Sequence, residues 1–248
     1  EIGQLSASND NKTLAFLSSD RFVANGQPEI FYITVFDENL NILWQKKQEF
    51  PYQDKEFNAL KAGIYVSNSG TVVISTILDQ DKSKTQGKPD IYTLFIIDAN
   101  GMKETKLNLG SQSALNSFLV TDFGNNDMLI VGTYYNLAYP ANATAGTFTA
   151  KLSITSGSIS SKSLSPFKAE TIDQMGTVKD NAIYNFGLRS LLQTPSGNAV
   201  LVLGSSRSVQ MVNAMGDASY THSYTISHGN VIVKLNDDLK PAFETEGN

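Results

Sequence analysis

The chain has no cysteine, two histidines and one tryptophan in 248 residues. Without cysteine there is no disulfide, no thiolate metal site and no cysteine nucleophile. The two histidines, His222 and His228, are six residues apart. On one strand they would share a face about 20 Å apart at ~3.3 Å per residue, too far for one zinc ion. Excess positive charge is missing as well. Nineteen Lys and Arg stand against 24 Asp and Glu, a net charge of −5, which excludes the basic stripe that a general nucleic-acid binder needs. No apolar run approaches the ~18–20 residues of a transmembrane helix. Any membrane association is therefore expected to be peripheral or through a lipid anchor.

Catalytic motifs are equally scarce. There is no Gly-x-Ser-x-Gly elbow and no phosphate-binding loop with Lys. Ser165-Pro166-Phe167-Lys168 fits Ser-x-x-Lys, but its companion motifs are absent and Pro166 opposes the helix it needs. Asp79 to Asp90 imitates a calcium loop, yet Lys84 stands where the sharp turn wants Gly. Asp54, Glu56, Asp122, Asp173 and Asp217 are the carboxylates left for glycoside chemistry, whose partners meet only in space. No catalytic residue, metal site or cofactor is assigned, and the residues favour a non-enzyme over an enzyme without deciding between them.

What is present is β-structure. Thr13–Leu17, Ile30–Phe36, Ile64–Val66, Thr71–Leu78, Ile91–Ile97, Met128–Tyr135, Ala199–Leu203 and Asn230–Leu235 are short runs rich in Val, Ile, Tyr, Phe and Thr. The best helical candidate, Asp54–Ala62, is short. Leu239–Thr245 is a weak last strand. Turn clusters recur at Asn9-Asp10-Asn11, Asn68-Ser69-Gly70, Gly124 to Asp127 and Pro195 to Asn198. With Asp10, Gly70, Asn125 and Gly197 as markers, the spacings are 60, 55 and 72 residues. A second set follows at Asp37-Glu38-Asn39, Asp98 to Gly101, Thr155-Ser156-Gly157 and Asn236-Asp237-Asp238. These residues accept the positive φ that tight hairpins need.

Each unit reads strand, tight turn, strand, long loop, strand, tight turn, strand. The chain is therefore expected to be all-β: a β-propeller of four-stranded antiparallel blades in a single domain over 1–248, with units near 1–50, 61–110, 115–166 and 186–248. The units make a whole ring or part of one. The near-continuous apolar run Ile91–Ile97 fits a strand covered on both faces. A pair of β-sandwiches is the alternative.

Three segments carry a resemblance. Val35-Phe36-Asp37-Glu38-Asn39-Leu40-Asn41-Ile42-Leu43-Trp44, followed by Pro51-Tyr52, is the first. Leu129 to Asn136 with Gly146-Thr147-Phe148 is the second, and Pro195 to Val202 with Asn230 to Leu235 is the third. Together they resemble an uncharacterised family of secreted β-propeller-like proteins of Bacteroidota. The resemblance implies a propeller fold and an extracytoplasmic place, periplasm or cell surface, in a Gram-negative bacterium; it is silent on activity. Members usually carry a signal peptide. Glu1-Ile2-Gly3-Gln4-Leu5 shows none, as expected of a mature secreted chain. Polar residues that are mostly uncharged Ser, Thr and Asn agree with that setting.

Topology then locates a site. The second-to-third-strand loops, at 20–27, 79–90, 136–145 and 206–218, emerge at the same end as the connectors 50–61, 110–114 and 166–185. The other end holds only tight turns. Elaborated loops are where binding residues concentrate, and aromatics and Arg anchor interfaces. The candidate binding residues are Tyr52, Tyr134, Tyr135, Tyr139, Arg207, Met211 and Tyr220, with one of Tyr134 and Tyr135 facing the core. Trp44 is expected to pack between sheets. The functional expectation is a non-enzymatic binding or scaffold propeller of the cell envelope that contacts a protein partner. The alternatives are a glycan-binding or glycan-cleaving propeller and a structural subunit of an outer-membrane assembly.

Overall fold

A computed structural model of the protein describes residues 2–19, 26–53, 63–78, 91–124, 126–138, 143–174, 178–179, 182–184, 186–193, 199–215, 218–235 and 241–247; over 205–230 and 242–247 it describes the backbone. The described chain is nearly all strand, in four sheets. The first is β1 (Ile2–Ala7), β2 (Thr13–Ser19), β3 (Pro28–Asp37) and β4 (Ile42–Gln53). The second is β5 (Gly63–Val66), β6 (Val72–Ile77), β7 (Tyr92–Ile97) and β8 (Met102–Leu107). The third contains β9 (Ser113–Gly124), β10 (Asp127–Asn136), β11 (Ala143–Ser153) and β12 (Ile159–Pro166). The fourth is β15 (Phe186–Gln193), β16 (Ala199–Met215), β17 (Ala218–Leu235) and β18 (Pro241–Gly247). Strand neighbours follow chain order in each, which is the meander of a propeller blade.

Two elements depart from expectation. The connector after β12 holds a short helix, α1 (Ala169–Gln174), and two short strands, β13 (Val178–Lys179) and β14 (Ala182–Tyr184). β14 pairs with the start of β11, at Ala143↔Tyr184 and Thr144↔Ile183, so the third sheet has six strands. Of the Leu239–Thr245 strand, weak by composition, the described part is recruited: β18 pairs from Gly247↔Asn230 to Pro241↔Leu235, and residues 239–240 lie outside the described residues. Ladder hydrogen bonds from β17 override the poor local pattern. The helical candidate Asp54–Ala62 and the loop Asp79–Asp90 lie outside the described residues, as do the turns Pro195–Asn198 and Asn236–Asp238.

Packing divides the chain into two compact units. The first comprises Glu1–Ala114, Val120–Ile130 and Ala150–Lys162. Its core joins the first two sheets through Leu17, Phe31, Ile33, Val35, Val66 and Ile74. Phe50 sits edge-on between Phe31 and Phe95, at ring separations of 5.2 and 4.8 Å. Trp44 takes the packing position expected of it: it lies against this core, and its indole Nε1 donates to Gly70 O at 3.0 Å. The consecutive residues Val72, Val73 and Ile74 have no exposure at all. Successive strand residues point to opposite faces, so the second sheet is covered on both. The first sheet covers one face; on the other, Gly157 of the β11–β12 turn meets Ile96 and Lys103. In a sandwich each sheet keeps one wet face, and that alternative is thereby excluded.

The second unit comprises Leu115–Leu119, Val131–Thr149 and Ser163–Asn248. Polar ladders tie its two sheets. Asn116 Nδ2 donates to Thr144 Oγ1 at 2.9 Å and to Phe186 O at 2.8 Å, and Thr144 Oγ1 donates to Phe186 O at 2.6 Å. Leu188 N donates to Ser117 Oγ at 3.1 Å. Phe167 packs edge-on against Phe186 at 5.6 Å. Gly132 is required here by space: a Cβ on it would stand 2.0 Å from Ser117 O. Gly132→Ala is expected to destabilise the protein by about 3 kcal/mol, because backbone must move to admit the methyl group; a urea melt against the parent measures it.

The tight turns hold the expected positive-φ residues at Asn11, Gly70, Gly124, Asn126 and Gly157, but in the Asp37 turn the left-handed residue is Leu40, at φ 63°, not Asn39. The Asp37 carboxylate accepts from Asn39 N, Asn41 N and Asn41 Nδ2, and those bonds hold the leucine in place. A left-handed L-residue costs about 1–2 kcal/mol. Leu40→Asn is expected to raise stability by about 1 kcal/mol, since Asn accepts αL and Leu40 packs little in its exposed turn; a thermal melt reads it.

Candidate functional site

The structure places the expected binding residues in different settings. Tyr52 is half-buried near the end of β4. Its hydroxyl donates to Glu104 Oε1 at 2.7 Å and its ring packs on Phe95 at 5.9 Å. It holds the first sheet to the second. Tyr134 is 6% exposed and Tyr135 half-buried, so the former is the core-facing member of the pair. Desolvation pushes the Tyr134 hydroxyl above its ordinary pKa. Tyr139 lies outside the described residues.

Arg207, Met211 and Tyr220 fall on one face of a single element, spread along its length, by a feature the sequence reading missed. The segment 206–218, expected as a loop, is strand. β16 and β17 run on past the sheet as a two-stranded ribbon, paired continuously from Ser206↔Ser227 to Met215↔Ala218. β15 pairs with β16 only as far as Ser205, and β18 with β17 only from Asn230. Among the described residues no third strand joins the ribbon. Its ten pairs extend about 33 Å at ~3.3 Å per residue.

Directly opposed residues share a face. One face therefore carries the pairs Arg207↔Ile226, Val209↔Tyr224, Met211↔His222, Asn213↔Tyr220 and Met215↔Ala218. The other carries Ser206↔Ser227, Ser208↔Thr225, Gln210↔Ser223, Val212↔Thr221 and Ala214↔Ser219. The first is apolar and aromatic, the second small and mostly hydroxylic. Alternation over 206–215 and 218–227 was the available signal; the neutral Ser and Thr concealed it. His222 lies within the ribbon, and His228 lies at the irregularity between the Gly204 and Ser206 pairs.

The opposite end is built differently. Ser8 Oγ donates to Asp10 Oδ1 at 2.7 Å and accepts from Thr13 N at 3.0 Å. Ser67 Oγ likewise accepts from Thr71 N at 3.0 Å. The turns then join one another: Asp10 N donates to Asn68 Oδ1 at 3.2 Å, Thr13 Oγ1 to Asn68 O at 3.3 Å, and Asn68 N to Asp122 Oδ2 at 3.0 Å. Asp122, considered as a catalytic carboxylate, caps turns instead; its Oδ1 accepts from Gly124 N. Asp173 is exposed on α1. A shallow polar cavity of about 210 Å³ lies at this end, between the turns of the second and third sheets, lined by Ser69, Thr71, Asp98, Lys103, Asn126 and Thr155. Lys103 Nζ donates to Thr155 O, and Asp98 Oδ1 accepts from Asn100 N and Gly101 N. Both charges are committed to turns. Among the described residues no three His, Asp or Glu side chains gather as a metal set, and no helix is long and apolar enough to cross a membrane.

Comparison with known proteins adds little at this resolution of likeness. No protein-family model and no curated protein sequence matches the chain. Among solved structures, a hypothetical protein from Leishmania major matches at TM-score 0.38 and 9% identity, over 90% of this chain and 66% of that one. The Dos1 propeller matches at 0.38 and 9%, over 98% and 61%. A cobalt-substituted apocarotenoid oxygenase from Synechocystis matches at 0.41 and 10%, over 99% and 64%. The chain thus spans less than two thirds of the solved chains it matches. The fold assignment rests on strand pairing and burial, not on these likenesses.

Two tests follow from the turn end. Trp44→Phe removes the bond to Gly70 O and keeps most of the packing, and should cost about 1 kcal/mol in a denaturant melt. Asp10 titrates below the ordinary carboxylate range, held down first by the Ser8 hydroxyl, then by Lys12 N and the Lys12 charge. Asp37 is held down by the Asn41 side chain and backbone and by Asn39 N. Depressed folded-state values mean that this stabilisation is present above the unfolded pKa, near 3.9. It is lost as pH falls through the folded values. Melting temperature should therefore drop below about pH 4, and Asp37→Asn should flatten that drop.

Proposed function

We propose that the chain is a non-enzymatic binding or scaffold protein of the bacterial cell envelope, and that it takes a protein partner on the ribbon of β16 and β17. The ribbon is the observation that carries the reading. Of its twenty paired residues only Arg207 belongs to the Asp, Glu, Lys and Arg set. Free strand edges in soluble proteins are usually protected by charge, proline or bulges. An edge left unprotected offers main-chain donors and acceptors to an added strand. The Met, Tyr and Ile positions on one face supply the residue types that anchor protein interfaces. Arg207, Met211 and Tyr220 are assigned to that contact. The extracytoplasmic setting is supported by the abundance of neutral polar residues and by the family resemblance.

The test is to replace residues 206–227 by a two-residue Asn-Gly turn, which keeps the blade pairs Val200↔Lys234 to Gly204↔Asn230. A tagged intact chain is expected to retain a stable protein partner from envelope extract. The shortened chain should lose that partner while its melting temperature stays within a few degrees. Equal capture by both chains would refute the assignment. A specific glycan-array signal that survives shortening would favour a carbohydrate ligand elsewhere on the molecule.

A further inference from the structure

β17 is the more regular of the two ribbon strands. Over 219–227 its residues alternate without a break: Ser219, Thr221, Ser223, Thr225 and Ser227 share one face, and Tyr220, His222, Tyr224 and Ile226 the other. β16 is mixed, with Gln210, Val212 and Ala214 on its hydroxylic face and Arg207 and Asn213 on its apolar one. The two edges of the ribbon are therefore unequal. Arg207 puts a charge on the β16 edge, one of the ordinary guards against strand addition. Residues 218–227 of β17 include no Asp, Glu, Lys, Arg or Pro. The β17 edge also continues a lane already in use. β18 lies beside β17 from Asn230 to Leu235, and among the described residues no strand takes up that lane over 218–227.

We infer that this lane is filled by β17 of a second copy, the two strands running antiparallel about a two-fold axis at Ser223. The inference rests on the ribbon being a contact surface and names what meets one of its edges. Self-complementarity selects the partner. Directly opposed residues of an antiparallel pair share a face, so a strand whose two faces are each of one kind matches its own copy. Centred on Ser223, Ser219 meets Ser227, Thr221 meets Thr225, Tyr220 meets Ile226 and His222 meets Tyr224. Hydroxyl pairs, aromatic pairs and aromatic with β-branched residues are stabilising cross-strand combinations. A slip of one residue sets each hydroxyl opposite an aromatic or aliphatic side chain. Centring on His222 instead sets two imidazoles opposite each other. The pairing is isologous and closes at two copies. It extends about 30 Å at ~3.3 Å per residue and leaves β18 its own pairs from Asn230 onward. Main-chain bonds along it engage the β17 groups that face away from β16.

The lack of cysteine makes the axis directly testable. Sedimentation velocity on the purified chain, across a wide concentration range, is expected to show a dimer. The chain with 206–227 replaced by an Asn-Gly turn should be a monomer. Ser223→Cys puts one thiol from each copy on the axis, at the separation of directly opposed strand residues and within reach of a disulfide. Oxidised glutathione should therefore convert that variant to a covalent dimer on a non-reducing gel. Gln210→Cys, opposite Ser223 on β16, should not cross-link. A parent chain that stays monomeric at every concentration overturns the inference. So does a dimer that survives shortening, and so does cross-linking that is equal at the two positions or absent at 223. These measurements use the purified chain alone and are separate from capture. A monomeric parent that loses an envelope partner on shortening refutes the second copy and leaves the ribbon a binding surface.

Discussion

Strands that are apolar on successive residues must be covered from both sides, and much of this molecule follows from that need. Val72-Val73-Ile74 and Met128-Leu129-Ile130-Val131 are fully buried residue after residue. No single sheet can do this, because its strands show alternate side chains to opposite faces. Each meander therefore needs a neighbour on both sides. The tie between the first two sheets illustrates how the cover is locked. Phe50 packs edge-on against rings of both, Tyr52 reaches Glu104, and Trp44 reaches Gly70. Apolar burial supplies the drive, and a few directional hydrogen bonds set the register between sheets.

The same need leaves the first and fourth sheets in a different position from the second. Their inner faces are as apolar and buried as any in the chain, through Ala15, Leu17, Ile33 and Val35 on one and Leu201, Leu203, Val231 and Val233 on the other. Their outer faces keep leucine, phenylalanine or isoleucine beside a lysine, Lys47 on the first sheet and Lys234 on the fourth. A blade composition repeated in four sheets makes four sheets that want two neighbours each.

The described tight turns and the ribbon are built differently. Ser8, Asp10, Asn68, Asp98 and Asp122 cap turns and bridge one turn to another. The small cavity there is lined by groups already engaged. In the fourth sheet β16 and β17 outrun their neighbours, and among the described residues no third strand pairs with the ribbon.

Alternation, turn chemistry and spacing sufficed, without coordinates, for the all-β class, the four units and the strand centres, because period-2 patterns and Gly, Asn and Asp turns are local properties. Local chemistry also placed Trp44 in packing and one of Tyr134 and Tyr135 in the core. Other features depended on distant partners. β18 exists because β17 is beside it, and β14 because the start of β11 is free to receive it. Leu40 takes a left-handed conformation because the Asp37 carboxylate holds the residues on either side. Tyr52 and Asp122 became structural once the sheets met. The segment 206–218 read as a loop because Ser, Asn and Gly carry a weak strand signal; only pairing along the whole ribbon made it strand and set Arg207, Met211 and Tyr220 on one face. Burial on both faces can be guessed from an apolar run, but which faces remain uncovered is decided by which sheets are adjacent, and that is a property of the assembled chain.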